Sequence, residues 1–339
     1  MATVLVTGGS GFVAAHLLLQ LLQAGQTVRA TLRAPEKADA VRKTLEGADA
    51  SVPLDKLSFV TADLTKDEGW AEAVSGVEYV YHLASPAADD STSDDDVIIP
   101  AREGTLRVLK AAKEAGVKRV VLTSSFAAIA YGHAKKDTFT EEDWSVDKEL
   151  PPFHRSKLLA EKAAWDFVKE NGGPELTVIN SVGILGPVLS ERVSSGVGVI
   201  KSLLEGSLPG CPRLFNNFVD VRDLAALHIK AATHPQAGGQ RFIASDEGEP
   251  RALLDVANIV REGRPDKSAK VPTRQLPDWT VKATALATPK LKSLVPQLGV
   301  KRNIKSTKTK DTFGWSTRKV EDTIVETADG LFKQGVVTV

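Results

Sequence analysis

The chain has 339 residues, 42% of them apolar, and carries 43 Lys plus Arg against 43 Asp plus Glu. That length suits two packed lobes, and the balanced charge leaves no field to draw nucleic acid or a membrane surface. A single cysteine, Cys211, excludes an intrachain disulfide, and six histidines without ligand spacing give no expectation of a metal site. No apolar run nears the roughly 20 residues of a spanning helix. The start has no basic segment and enters a strand at once, so no signal peptide is expected and the chain reads as cytoplasmic.

In chain order, residues 3–7 read as a strand, Gly8-Gly9-Ser10-Gly11 as a turn, and residues 12–24 as a helix. Val13, Leu17, Leu18, Leu21 and Leu22 set its spacing, Gly25-Gln26 ends it, and residues 27–32 form a second strand. This opens a βαβ unit whose turn sits where a pyrophosphate would rest. Glycines let the backbone approach the ligand, and N–H groups at the helix start face its charge. Dinucleotide binding follows. Past the second strand come Arg33 and Lys37. Basic groups there suit the 2′-phosphate of NADP(H), whereas an acid would suit NAD. Glu36 and Asp39 leave open that both are ordinary solvated charges.

Next come a helix at about 36–45, a strand at 57–61, Asp63-Leu64, and a short helix at 67–74. A strand at 77–83 ends in Ala84-Ser85-Pro86, and a long helix covers about 94–115. A strand at 119–122 runs into Thr123-Ser124-Ser125, followed by a helix at 153–169 and a strand at 176–182. Alternating strands and helices predict an α/β fold, a Rossmann-type doubly wound parallel sheet. Its ligand sites lie at the strands' carboxyl ends. Asp89 to Asp96 is expected as a solvated loop or helix cap. From Gly186-Pro187 the pattern loosens. The expected division is a dinucleotide-binding domain at 1–185 with a return segment at about 214–246. Residues 186–213 and 247–339 would form a substrate lobe. The charges of residues 218–224 are expected to pair structurally. His82 is expected to be a hydrogen-bonded core residue, and His16 and His228 to sit in packing or surface positions. Trp165 reads as core, and the basic run 301–310 as a solvated loop.

These motifs, in this order, resemble the extended short-chain dehydrogenase/reductases. The dihydroflavonol reductases and the yeast-type NADPH-dependent aldehyde and ketone reductases are nearest. The resemblance rests on Thr7-Gly8-Gly9-Ser10-Gly11-Phe12-Val13, residues 28–33, Asp63-Leu64, residues 82–86, residues 122–125, Ser156-Lys157 and residues 218–224. It implies that Gly8, Gly11, Phe12 and Val13 cradle the pyrophosphate and that Arg33 and Lys37 hold the 2′-phosphate. Asp63 and Leu64 would meet the adenine. Leu83, Ala84, Ser85 and Thr123 would line the ribose and nicotinamide, with Ser181, Val182 and Ile184 along the ring. Ser125 would hydrogen-bond the substrate carbonyl, with Ser124 as the competing assignment, and Lys157 would hold the nicotinamide ribose. Pro86, Phe126, Ile129 and Tyr131 would border a small aldehyde or ketone in a monomer or homodimer.

One departure matters. The family pattern is Tyr-x-x-Ser-Lys, and this chain reads Phe153-His154-Arg155-Ser156-Lys157. A forming alkoxide needs a proton, which a phenol supplies and a benzene ring does not. Phe153 is then an introduced Tyr→Phe change, or another group such as Tyr131 donates, or the chain binds NADP without chemistry. His154 is expected to point elsewhere, about 100° around the helix. A nucleotide-sugar epimerase or dehydratase is the alternative of another reaction class; the basic Arg33/Lys37 pair speaks against it.

Overall fold

The structure, a computed structural model, describes residues 3–86, 94–148, 150–288 and 292–338. Its first half alternates strand and helix: β1 (Thr3–Thr7), α1 (Phe12–Gln23), β2 (Thr27–Leu32), α2 (Ala38–Ala48), β3 (Leu57–Thr61), α3 (Trp70–Val74) and β4 (Val77–His82). Then come α4 (Asp94–Glu114), β5 (Arg119–Ser125), the two-residue β6 (Thr138–Phe139), α5 (Pro152–Asn171) and β7 (Glu175–Ser181). Further on are β8 (Gly183–Leu185), α6 (Ser195–Leu204), β9 (Phe215–Asn216), β10 (Phe218–Asp220), α7 (Val221–Thr233) and β11 (Gln240–Ala244). β5 runs three residues past the expected end, carrying Ser125 to the rim of the sheet. Most of the acidic run at 89–96 lies outside the described residues.

Seven parallel strands form one sheet in the order β11-β7-β5-β4-β1-β2-β3. Strand order reverses between β1 and β4, which opens a crevice beyond their carboxyl ends. Period-two alternation splits the core. Val4, Val6, Val121 and Ile179 face α1 and α7, where they meet Leu17, Leu18, Leu21, Leu224 and Leu227. Leu5, Val120, Leu122 and Val178 face the other way, onto Trp70, Val108, Leu109 and Ala164. Each fully buried aliphatic side chain contributes about 1.5–3 kcal/mol.

A separate apolar cluster joins α6 (Val197, Ile200, Leu203) to Leu253, Val256 and Val260 of α8 (Leu253–Gly263). Ile324 and Leu331 of the helix Val320–Lys333 complete it, and Phe12 and Val221 plug it against the start of α1. Residues 303–315 depart from the expected lobe. Asn303–Ile304 pairs with β6, Phe313 packs edge-on to Phe242 of β11, and Trp315 donates to the Asp223 carbonyl at 2.9 Å. The reason is apolar: Phe313 and Trp315 bury themselves in the α1/α7 core. Within the basic run 301–310, Arg302, Ser306 and Thr309 are held by hydrogen bonds, while Lys301, Lys305 and Lys310 stay exposed.

Candidate active site

The turn after β1 is built by backbone approach. Gly8 sits at φ +69°, donates to Thr31 Oγ1 at 3.0 Å, and Gly9 donates to the Thr31 carbonyl at 2.9 Å. A Cβ on Gly9 would lie 2.8 Å from that of Ala30, and one on Gly8 would lie 3.0 Å from Ala84 Cα. A side chain at either position would push the turn off the sheet. Gly11 starts α1 without any side-chain cap, so the first helical N–H groups stay available to an anion. Ala14, at the third small position, is buried against the sheet. The cradle therefore fits a pyrophosphate.

The end of β4 is fixed from below. Thr7 Oγ1 accepts from the Leu83 and Ala84 N–H groups, each at 3.0 Å, which leaves its own proton for His82 Nδ1 at 2.8 Å. His82 Nε2 then carries the hydrogen and faces Thr105 Oγ1 at 3.4 Å. Burial and the nearby Lys157 charge push the His82 pKa down to about 3, so the imidazole is neutral. His82 is a core residue that holds Leu83 and Ala84 in place.

The candidate catalytic groups stand on β5 and α5. Ser125 Oγ accepts from Ala127 N at 3.1 Å and retains its own proton to give. Ser124, on the opposite face, donates to Glu161 Oε2 at 2.5 Å in a buried network, so the competing serine is committed to structure. From α5, Lys157 makes no hydrogen bond among the described residues, and its ammonium lies 5.9 Å from the Phe153 ring centroid. Burial pushes the Lys157 pKa down to about 8, against the opposing pull of the Glu161 carboxylate. Phe153 is 38% exposed, an apolar ring at the surface beside the Lys157 cation.

Tyr131 and His154 pack together: the His154 ring centroid is 4.1 Å from that of Tyr131 and 5.7 Å from that of Phe153. The Arg302 guanidinium covers Tyr131 at 4.0 Å while Arg302 Nε donates to the Ala130 carbonyl at 3.0 Å. Burial raises the Tyr131 pKa although Arg302 opposes it. Burial, with the Arg302 charge second, lowers that of His154 to about 4.

At the far end of the crevice, Arg33 is exposed and Lys37 half-buried. Neither pairs with Glu36 or Asp39; among the described residues neither forms an ion pair. Asp63 accepts from Thr65 N and Oγ1 at 2.8 Å each, and this, with Arg33 nearby, holds its carboxyl below the usual range.

Several of the other expected site residues make hydrogen bonds or packing contacts within the fold. Thr123 shares a hydrogen bond of 2.7 Å with His228, whose other ring nitrogen bonds the Leu224 carbonyl at 2.8 Å. Ser181 donates to the Ser124 carbonyl at 3.3 Å. Phe126 and Ile129 are 5% and 0% exposed in a closed cluster with Phe139 and Ile243, so they support the Tyr131 loop from beneath. Val182 and Ile184 lie half-buried at the end of β7 and in β8, and Ser85 and Pro86 lie at the open end of β4. The charges of residues 218–224 pair structurally: Arg222 Nη2 bonds buried Asp220 at 2.6 Å, and Asp223 pairs with Arg318. Sequence reasoning missed Arg302, the Glu161 network and Arg192, whose Nη1 donates to Ser10 Oγ of the glycine turn at 3.1 Å.

The sequence model of the NAD dependent epimerase/dehydratase family matches residues 4–244. The chain belongs to that family. Among its relatives, a cinnamoyl-CoA reductase of Petunia hybrida is 34% identical over 300 residues, covering 86% of each chain. A dihydroflavonol 4-reductase of Hordeum vulgare is 35% identical over 260 residues, 74% of this chain and 72% of that one. The crystal structure of the yeast methylglyoxal/isovaleraldehyde reductase Gre2 complexed with NADPH superimposes with a TM-score of 0.79 at 28% identity. It covers 99% of this chain and 100% of that one. The epimerase/dehydratase fold accounts for the crevice at the β1/β4 switch. Among the described residues no helix is long and apolar enough to cross a membrane, and no cluster of His, Cys, Asp or Glu could hold a metal.

Proposed function

We propose that the chain is an NADPH-dependent reductase of small aldehydes or ketones, impaired because Phe153 lacks a proton to donate. The observation that carries this reading is the recessed Lys157 ammonium beside the Phe153 ring, without a hydrogen bond among the described residues. The reductase relatives support it. NADPH, when bound, supplies the hydride. Ser125 holds and polarises the carbonyl oxygen through its free O–H. Lys157 holds the nicotinamide ribose through its ammonium. The α1 start and the glycine turn hold the pyrophosphate, and Arg33 with Lys37 hold the 2′-phosphate. NADPH oxidation over a panel of aldehydes and ketones, beside direct NADPH titration, tests the whole; no saturable NADPH binding would sink it.

Two expectations attach to the cofactor. Replacing both Arg33 and Lys37 by alanine should weaken NADPH binding by roughly 10–100-fold while leaving NADH within about twofold, since only NADPH carries the 2′-phosphate. Equal losses for the two cofactors would remove the clamp assignment. Lys157 supplies the second expectation. Its pKa of about 8 lies below the ordinary lysine value, so the ammonium is present at pH 7 and lost as pH rises through 8. NADPH affinity should hold below pH 8 and weaken above it. In Lys157→Met that step should vanish; a profile unchanged from wild type would show that another group causes it.

A further inference from the structure

The geometry points to Arg192 as a clamp on the cofactor pyrophosphate, reaching from the second lobe across the glycine turn; this rests on the NADPH reading above. Arg192 lies in the segment between β8 and α6, at 182 residues' sequence separation from Ser10, yet its Nη1 sits 3.1 Å from Ser10 Oγ. Ser10 belongs to the turn that runs into the uncapped start of α1. The guanidinium thus meets the turn that leads into the free helical N–H groups, and a negative ligand on that turn gains from both.

Three observations make this more than a chance surface contact. First, the segment is tied at each end. His16 of α1 bonds the Pro187 carbonyl at 2.9 Å, and Gly186 N donates to Thr327 Oγ1 at 2.7 Å. At the other end Ser194 Oγ donates to the Ile184 carbonyl at 2.9 Å and caps α6 by accepting from Val197 N. Burial lowers the His16 pKa to about 4, so it is neutral and serves as a fixed tether. Second, Arg192 forms no ion pair among the described residues. Its charge is not spent on a carboxylate, and an exposed Arg held to a serine hydroxyl leaves most of its five donors free. Third, the turn itself contributes backbone N–H groups but no charged side chain. Arg33 and Lys37 follow β2 and serve the other end of the cofactor. A pyrophosphate on the α1 start would otherwise meet dipoles alone, and a guanidinium matches two phosphate oxygens at once.

The clamp and the 2′-phosphate site make different predictions about which ligands lose affinity. The experiment measures dissociation constants by titration for NADPH, NADH and 2′-AMP, on wild type, Arg192→Ala and Arg192→Lys. Arg192→Ala should weaken NADPH and NADH alike, by roughly 5–20-fold, and leave 2′-AMP unchanged, because 2′-AMP has no pyrophosphate. Arg192→Lys should recover part of the loss, since it keeps the charge but not the two-pronged geometry. The Arg192→Ala loss should shrink in high salt. NADPH binding within twofold of wild type in Arg192→Ala would overturn the clamp. So would an equal loss for 2′-AMP, which would mean that the substitution disturbs the whole site. Absence of NADPH binding by wild type would instead overturn the cofactor reading, and the clamp with it.

Discussion

Phe153→Tyr should raise NADPH-dependent carbonyl reduction by roughly 10²–10⁴-fold, the usual contribution of a positioned general acid. Phe153 is on the first turn of α5, 38% exposed, with the Lys157 ammonium 5.9 Å from its centroid. A hydroxyl on that ring would lie near a cation that favours phenolate and so eases proton release. Ser125 keeps its donor free, and residual turnover before the substitution is expected from it. The measurement is kcat and KM for both proteins on the same aldehydes and ketones. A rise in kcat with NADPH affinity unchanged is the signature of a restored proton donor. Equal rates well above background would mean that another group donates. Tyr131→Phe is the next variant in that case, although burial raises the Tyr131 pKa and its ring is held against Arg302 and His154. No turnover in either protein, with NADPH bound, would favour a binding protein without chemistry.

Much of this was legible in the sequence, for a physical reason. The β1–α1–β2 unit is local: glycines, a 3.6-residue apolar period and short strands all fall within residues 3–32, and tertiary packing agrees with each of them. The assignment of Ser125 over Ser124 also follows from alternation along β5, once the position of α5 is known. What the sequence hid is long-range. Basic composition at 301–310 reads as solvated, but Arg302 lies over Tyr131, and Phe313 sits in the core of the sheet unit. Helical geometry alone turns His154 away from Phe153's direction, yet the loop after β5 brings Tyr131 to meet it. Arg192 and Ser10 are joined only by the fold. Nothing local in the sequence shows that Phe126 and Ile129 bury against Phe139 and Ile243.

The largest stability effect should come from a group outside the crevice. Arg241 of β11 is 8% exposed and Glu161 of α5 is 1% exposed, and Arg241 Nε donates to Glu161 Oε1 at 2.6 Å. Arg241 Nη1 also donates to the Glu141 and Asp143 carbonyls at 2.7 Å each, and the guanidinium stacks 3.8 Å from the Trp144 ring centroid. Glu161 in turn accepts from Ser124 Oγ and from Asn180 Nδ2 at 2.6 Å. Arg241→Ala would strand a buried carboxylate and two carbonyls, which costs about 3–5 kcal/mol. A buried ion pair is costly to half-remove but close to neutral to replace whole, because each partner's desolvation is already charged against it. The paired change Arg241→Met with Glu161→Gln should therefore recover most of the loss. Chemical denaturation read as a midpoint shift at constant slope separates the two effects. A loss below about 1 kcal/mol in Arg241→Ala would mean that water reaches Glu161 and the network is not sealed. The network also bears on the chemistry: Asn180 Nδ2 donates to the Ser125 carbonyl at 3.3 Å, and Ser124 precedes Ser125 in β5. Placed in the Phe153→Tyr background, Arg241→Met should thus lower kcat more than it changes NADPH affinity, since Ser125 loses its backing while the glycine turn keeps its own.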